Sequence, residues 1–133
     1  MEYLFRGKRV DGKGWVYGYL AQNQGHSWIL IPQEGIAYQC FVWEEVIPET
    51  VGQFTGLTDK NGIKIFKDDI IFVGNLWNEN AVIDYDEEIS AFVAKFKKWG
   101  SKRIAKNTDM EIISNIHDNP ELLEGIIIWK QLK

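Results

Sequence analysis

Cysteine occurs once in 133 residues, at Cys40, so no disulfide can close within the chain and folding owes nothing to oxidation. A reducing, cytoplasmic setting is the expectation that follows. Long apolar runs are missing as well. None exceeds four residues, as at 28–31 and 126–129, whereas a spanning helix needs about 20. Nothing is therefore expected to cross a membrane. Near the start, Glu2, Arg6 and Lys8 bracket only three apolar residues, which leaves no apolar centre for a signal peptide. An excess of positive charge is lacking too: 15 Lys and Arg stand against 19 Asp and Glu, a net charge of −4. Dedicated nucleic-acid binders are usually basic overall, so that balance argues against one while leaving room for a local basic patch. There is no internal repeat at solenoid spacing and no low-complexity stretch.

What the chain has in quantity is rings. Aromatic residues make up 14% of it, with six tryptophans, while 45% hydrophobic and 26% charged residues sit near globular averages. At this length a single domain with one proper core is expected.

Turn residues cut the first third into short extended segments. Residues 3–10 are followed by Asp11-Gly12-Lys13-Gly14, whose glycines supply positive φ, and residues 15–21 return, so the pair predicts a hairpin. In the return strand Trp15, Tyr17 and Tyr19 share one face. A polar loop over 22–26 leads to a strand at 27–31, ended by Pro32. After a turn at Glu34-Gly35, residues 36–46 are apolar on both faces and read as a central, doubly covered strand. Pro48 marks an expected division.

Beyond Pro48, strands are predicted at 51–57, 63–66, 70–73, 81–85, 89–97, 103–106 and 111–116, with turns at Asn61-Gly62 and Gly100-Ser101. The last of these alternates polar and apolar residues imperfectly. Helix signals are scarce. Asn119 offers an N-cap oxygen, Pro120 suits the first helical position and Gly125 suits a C-terminal cap, which predicts one short helical turn over 120–124. The fold class is mainly β: an N-terminal antiparallel layer over 1–48, then a C-terminal barrel-like meander over 49–133 with a terminal strand.

Several blocks then carry a resemblance: Phe5-Arg6-Gly7-Lys8, Trp15-Val16-Tyr17-Gly18-Tyr19, the run 48–57, Asp59-Lys60-Asn61-Gly62, Tyr85-Asp86 and the run 115–123. In this order, over nearly the whole chain, they resemble the YopX-like proteins, a family carried largely by phages and prophages of Gram-positive bacteria and without an assigned biochemical activity. The resemblance implies a mainly β protein whose C-terminal part is a small SH3-like barrel, and it is compatible with multimeric assembly. Two departures stand out. Asp68 precedes Asp69 where relatives usually carry glycine, so a positive φ there would be strained. The tail 126–133 also runs past the motif, with three isoleucines and Trp129 that cannot all face water cheaply.

The nearest thing to a nucleic-acid patch is Lys95, Lys97, Lys98, Trp99, Lys102, Arg103 and Lys106, six cations around rings that can stack on bases. A solvated hairpin shows the same pattern, with edge lysines that discourage aggregation, and that reading is preferred. Asp84, Asp86, Glu87 and Glu88 lack the spacing of a calcium loop and read as a polar turn that could pair with the basic hairpin. His26, His117 and Cys40 are isolated, and no nucleophile elbow, phosphate loop or His-Glu-x-x-His helix is present, so no catalytic residue, metal or cofactor is expected. A hydrolase would need one of these three beside carboxylates in a pocket.

The aromatic row, with Trp77 and Trp129, is either a partner surface or core filling; most of the rings are expected to be buried. Ile126, Ile127, Ile128 and Trp129 are the expected self-association strand, since a closed domain has no other use for them. The function expected is that of a non-catalytic accessory module that binds and self-associates. A homo-oligomer is anticipated, with a host or phage protein as a further partner; nucleic-acid binding through the basic hairpin is the alternative.

Overall fold

The structure, a computed structural model, describes residues 4–33, 41–74, 77–106 and 108–124. Among them lie eleven β-strands and two short 3-10 turns. The chain divides into two compact units, Met1–Phe54 and Thr55–Lys133. Within the described residues no helix is long and apolar enough to cross a membrane.

The first unit is an antiparallel sheet. β1 (Phe5–Lys8) and β2 (Trp15–Asn23) form the expected hairpin, with Gly12 and Gly14 at φ 78° and 107° in its turn. β3 (His26–Pro32) returns from β2 through a tighter turn than the five-residue loop expected. Gln24 and Gly25 both take positive φ, 49° and 81°, and Asn23 pairs directly with His26. Two left-handed residues match the strand twist, so Gln22 and Asn23 stay in the ladder. β4 (Phe41–Val46) pairs with β3, and the strand order is β4-β3-β2-β1-β5, where β5 (Gly52–Thr58) enters through its first residues.

The described part of β4 corrects the sequence expectation. Its ladder neighbour is β3, and on the other side Val46 bridges Arg9 while the Glu45 carbonyl accepts the Val10 N–H at 3.1 Å, so among the described residues the free edge is the exposed run Phe41, Val42 and Trp43. Apolar side chains on both faces signalled a covered strand, yet sequence cannot tell which segment will pair on both sides. The inner face of the sheet buries Ser27, Ile29 and Val46. Two glycines of the sequence blocks sit there because nothing larger fits. A Cβ on Gly18 would stand 2.2 Å from the Leu30 carbonyl oxygen, and one on Gly7 would stand 2.7 Å from Val46 Cγ2.

A 3-10 turn at Pro48–Thr50, unpredicted, connects β4 to β5. Thr50 locks it: its hydroxyl donates to the Ile47 carbonyl at 2.6 Å and accepts the Lys8 N–H at 2.9 Å.

In the second unit β6 (Lys64–Phe66) follows the Asn61-Gly62 turn, and β7 (Asp69–Val73), β8 (Glu79–Asp86), β9 (Ala91–Phe96) and β10 (Gly100–Arg103) form a consecutive meander. β11 (Met110–Asn115) pairs back on β7, giving an antiparallel sheet in the order β10-β9-β8-β7-β11. One face carries the main core of Ile65, Ile71, Val73, Ala81, Ile83, Ala94, Phe96 and Met110. Ile70 and Val82 form a second cluster with Ile116 and Leu123. β7 is thus buried on both sides, which its unbroken apolar run indicates.

Three details differ from the sequence reading. The β9–β10 turn is Lys97-Lys98-Trp99, and Gly100, at φ 74°, opens β10 opposite Phe96 instead of turning the chain. Residues 103–106 therefore contribute only Arg103 to the strand. The register of β11 slips between Ile112 and Ser114, which leaves Ile113 exposed and accounts for the imperfect alternation. The predicted helical turn is a 3-10 turn at Pro120–Leu123 without a side-chain cap. Asn119 spends its side chain elsewhere, donating to Glu121 Oε1 at 2.7 Å and accepting from the Ser114 hydroxyl. Gly125, the tail 126–133 and the segment 34–40 lie outside the described residues.

Candidate functional site

The polar residues of the sequence blocks hold backbone. In the second unit the buried Asp59 carboxylate accepts N–H bonds from Asn61 at 2.8 Å, Ile63 at 3.0 Å and Ile112 at 3.1 Å. Burial pushes its pKa up, but those three bonds outweigh it and hold the carboxyl below its ordinary value. Asp69, also buried, takes the Phe66 N–H at 2.8 Å. Asn115 accepts from the backbone of His117 and Asp118 and donates to the Asp118 carboxylate.

Asp68 takes the left-handed conformation expected to be strained, at φ 73°. Its backbone is held on both sides, donating to Ile83 at 2.8 Å and accepting from Ile116 at 3.1 Å. Its carboxylate meets His117 Nε2 at 3.1 Å and Lys67 Nζ at 3.2 Å. His117 thus braces a turn.

In the first unit, His26 Nδ1 meets Glu45 Oε2 at 2.7 Å and its ring stacks on Trp28 at 5.7 Å. An open cavity of about 350 Å³ lies beside it, lined by residues 22–27 and Pro48. The neighbouring Ser27 points to the opposite face of the strand, where its hydroxyl accepts from Gln22 Nε2 at 3.1 Å. Histidine and hydroxyl therefore do not meet as base and nucleophile. Cys40 lies outside the described residues. Among the described residues no three His, Cys, Asp or Glu side chains gather where a metal ion could be held.

Two surfaces remain that can do something outward. The first is the outer face of the N-terminal sheet. Cross-strand partners share a face, and Tyr19 lies opposite Leu30, which lies opposite Trp43. Tyr17 and Phe41, two residues along their strands, join the same face, with the half-buried Trp15 and Trp28 beside them. Tyr17, Tyr19, Phe41 and Trp43 are 47%, 51%, 37% and 57% exposed, so this is a surface of rings and not a core. Tyr19 meets Phe41 edge to face at 6.2 Å, and Trp28 meets Trp43 in the same way at 6.2 Å. Arg6 lies over Trp15 at 4.7 Å. Sequence leaves this row open between core and surface, because alternation names its face without saying which face is wet.

The second surface is the basic hairpin of the second unit, and the structure separates its residues. Lys95 is spoken for. It points to the opposite face from Phe96 and pairs with Asp84 at 3.0 Å, both side chains being largely covered. The acidic turn thus meets the basic hairpin at one residue, Asp84, while Asp86 folds back onto the Glu88 N–H. Lys97, Lys98, Trp99, Lys102, Arg103 and Lys106 are exposed. Trp77 ties the surface down, packing on Phe96 at 5.6 Å and meeting Trp99 edge to face at 5.6 Å. Lys98 Nζ lies 5.0 Å from the Trp99 ring and Lys102 Nζ lies 5.3 Å from the Trp77 ring. The expected self-association strand of Ile126, Ile127, Ile128 and Trp129 lies outside the described residues.

Comparison with curated proteins finds no match. Among solved structures the chain is similar to that of "protein EF1440 from Enterococcus faecalis", with a TM-score of 0.57 and 18% identity over 92% of this chain and 97% of that one. At that identity the likeness concerns the fold alone. The family model described as YopX protein matches residues 4–124, a span that holds every block carrying the sequence resemblance, and the chain belongs to the YopX family.

Proposed function

We propose that this YopX-family protein is a non-catalytic binding module that associates with a second copy of itself through the edge strand β4. The observation that carries the reading is that the first part of β4, before Val46 bridges Arg9, ends the sheet and exposes Phe41, Val42 and Trp43 in succession. An edge strand offers a row of backbone donors and acceptors, and natural edges are usually blunted by charge, proline or bulges. The exposed part of this edge carries rings instead. Pairing of two β4 edges about a twofold axis would continue the sheet and bury the rings of both copies. Support for a non-catalytic role comes from Asp59 and Asn115 of the sequence blocks and from Asp69, which are occupied in fixing backbone. A phage or prophage accessory role in the host cytoplasm rests on the family resemblance.

Size-exclusion chromatography with light scattering tests the reading on three chains: the parent, Trp43→Lys, and a chain ending at Glu124. The expected result is a dimer for the parent and for the shortened chain, and a monomer for Trp43→Lys. A monomeric parent at every concentration overturns the proposal. A dimer lost only on shortening moves the contact to the terminal segment.

A further inference from the structure

The hairpin of β9 and β10 carries a second surface that the proposed self-association does not use. Lys97, Lys98 and Trp99 form its turn, and Lys102 stands beside them in β10. Lys102 lies opposite Ala94, so its side chain shares the face of Phe96, on which Trp77 packs. Two indoles and the two ammonium groups over them therefore make one cluster. Among the described residues Lys97, Lys98, Lys102, Arg103 and Lys106 form no ion pair. In a chain of net charge −4, unneutralised cations concentrated on one hairpin are a local feature that the overall balance does not supply.

We infer that this hairpin is a docking surface for single-stranded nucleic acid. Phosphate groups complement the unpaired lysines, and an unstacked base offers a π face to Trp99, which is 39% exposed. Bases in a duplex are stacked on each other and offer no such face, so the ring cluster selects the single strand. Trp77 holds the position of Trp99 from below, through a ring contact anchored on the buried Phe96. Lys95 takes no part, because its ammonium is paired with Asp84 on the other face of the sheet.

Fluorescence anisotropy with the intact protein tests this, using a labelled 20-nucleotide thymidine strand, an abasic strand of the same length and a duplex. The expected result is binding to the thymidine strand at low salt, with log K falling against log salt at a slope of about −2, as about three phosphate contacts give. Trp99→Ala should weaken that binding about tenfold and leave the abasic strand unaffected. Lys98→Gln with Lys102→Gln should weaken both strands, and Lys95→Gln neither. Absence of binding at 50 mM salt overturns the inference. So does equal affinity for the thymidine and abasic strands, tighter binding to the duplex, or Lys98→Gln with Lys102→Gln binding as the parent does. Lys98, Trp99 and Lys102 are exposed, and an unchanged melting temperature for each of their variants separates lost contact from lost fold.

Discussion

The Asp59 carboxylate accepts the backbone N–H of Ile112 at 3.1 Å across 53 residues of sequence. The same group holds the turn that follows it, through Asn61 and Ile63. One side chain thus fixes both a local turn and the position of a distant strand.

Asp59→Ala leaves three N–H donors without this acceptor, and a loss of at least about 2 kcal/mol is expected in urea unfolding. The pH dependence follows from the lowered folded-state pKa. A depressed carboxyl pKa contributes stability above the unfolded-state value and loses it as pH falls through the folded-state value. Melting temperature should therefore begin to drop as pH approaches the ordinary 3.8 and continue to drop below it. In Asp59→Asn, which has no such proton to take up, that part of the acid sensitivity should be gone.

Asp68 sits at φ 73° while its carboxylate meets His117 and Lys67. Substitution by glycine or by alanine removes the same contacts, but only glycine removes the conformational cost. The glycine variant should be more stable than the alanine variant by about 1 kcal/mol, measured by chemical unfolding. Equal stabilities would show that the left-handed backbone is not strained.

Gly18 has an ordinary negative-φ role and a steric one: a Cβ would press on the Leu30 carbonyl oxygen at 2.2 Å. Backbone cannot swing aside as a side chain can. Gly18→Ala is expected to destabilise the protein by at least about 2 kcal/mol and to lower its melting temperature. Gly12→Ala meets no atom within 4 Å, and its cost should be that of positive φ alone, about 1 kcal/mol.

The rings divide into two kinds that one experiment can separate. Phe96 is 1% exposed within the main core, and Phe96→Ala should cost about 3 to 5 kcal/mol. Tyr17 lies about half exposed on the outer face, and Tyr17→Ala should cost less than about 1 kcal/mol in the dissociated protein. Comparable losses from both would place the outer face inside the fold.

The mainly β class, the first hairpin, the Asn61-Gly62 turn and the bend at Pro120 were legible in sequence because each is specified locally. Period-two alternation sets the faces of β2, glycines at 12 and 14 supply the φ values of its turn, and Pro120 restricts its own φ. The family resemblance also pointed to residue 68, where relatives usually carry glycine, as a place where a positive φ would be strained.

Other features depend on who stands beside whom, which residue order alone does not carry. That the first part of β4 lies at an edge, that the Trp15, Tyr17 and Tyr19 row faces outward and that Lys95 is withdrawn from the basic hairpin by Asp84 all follow from strand order and register. Alternation sorts side chains into two faces but is symmetric between them, so only packing decides which face is buried. The chain itself determined where it turns and how its side chains alternate; the tertiary structure decided which of them meet water, because burial is a property of neighbours.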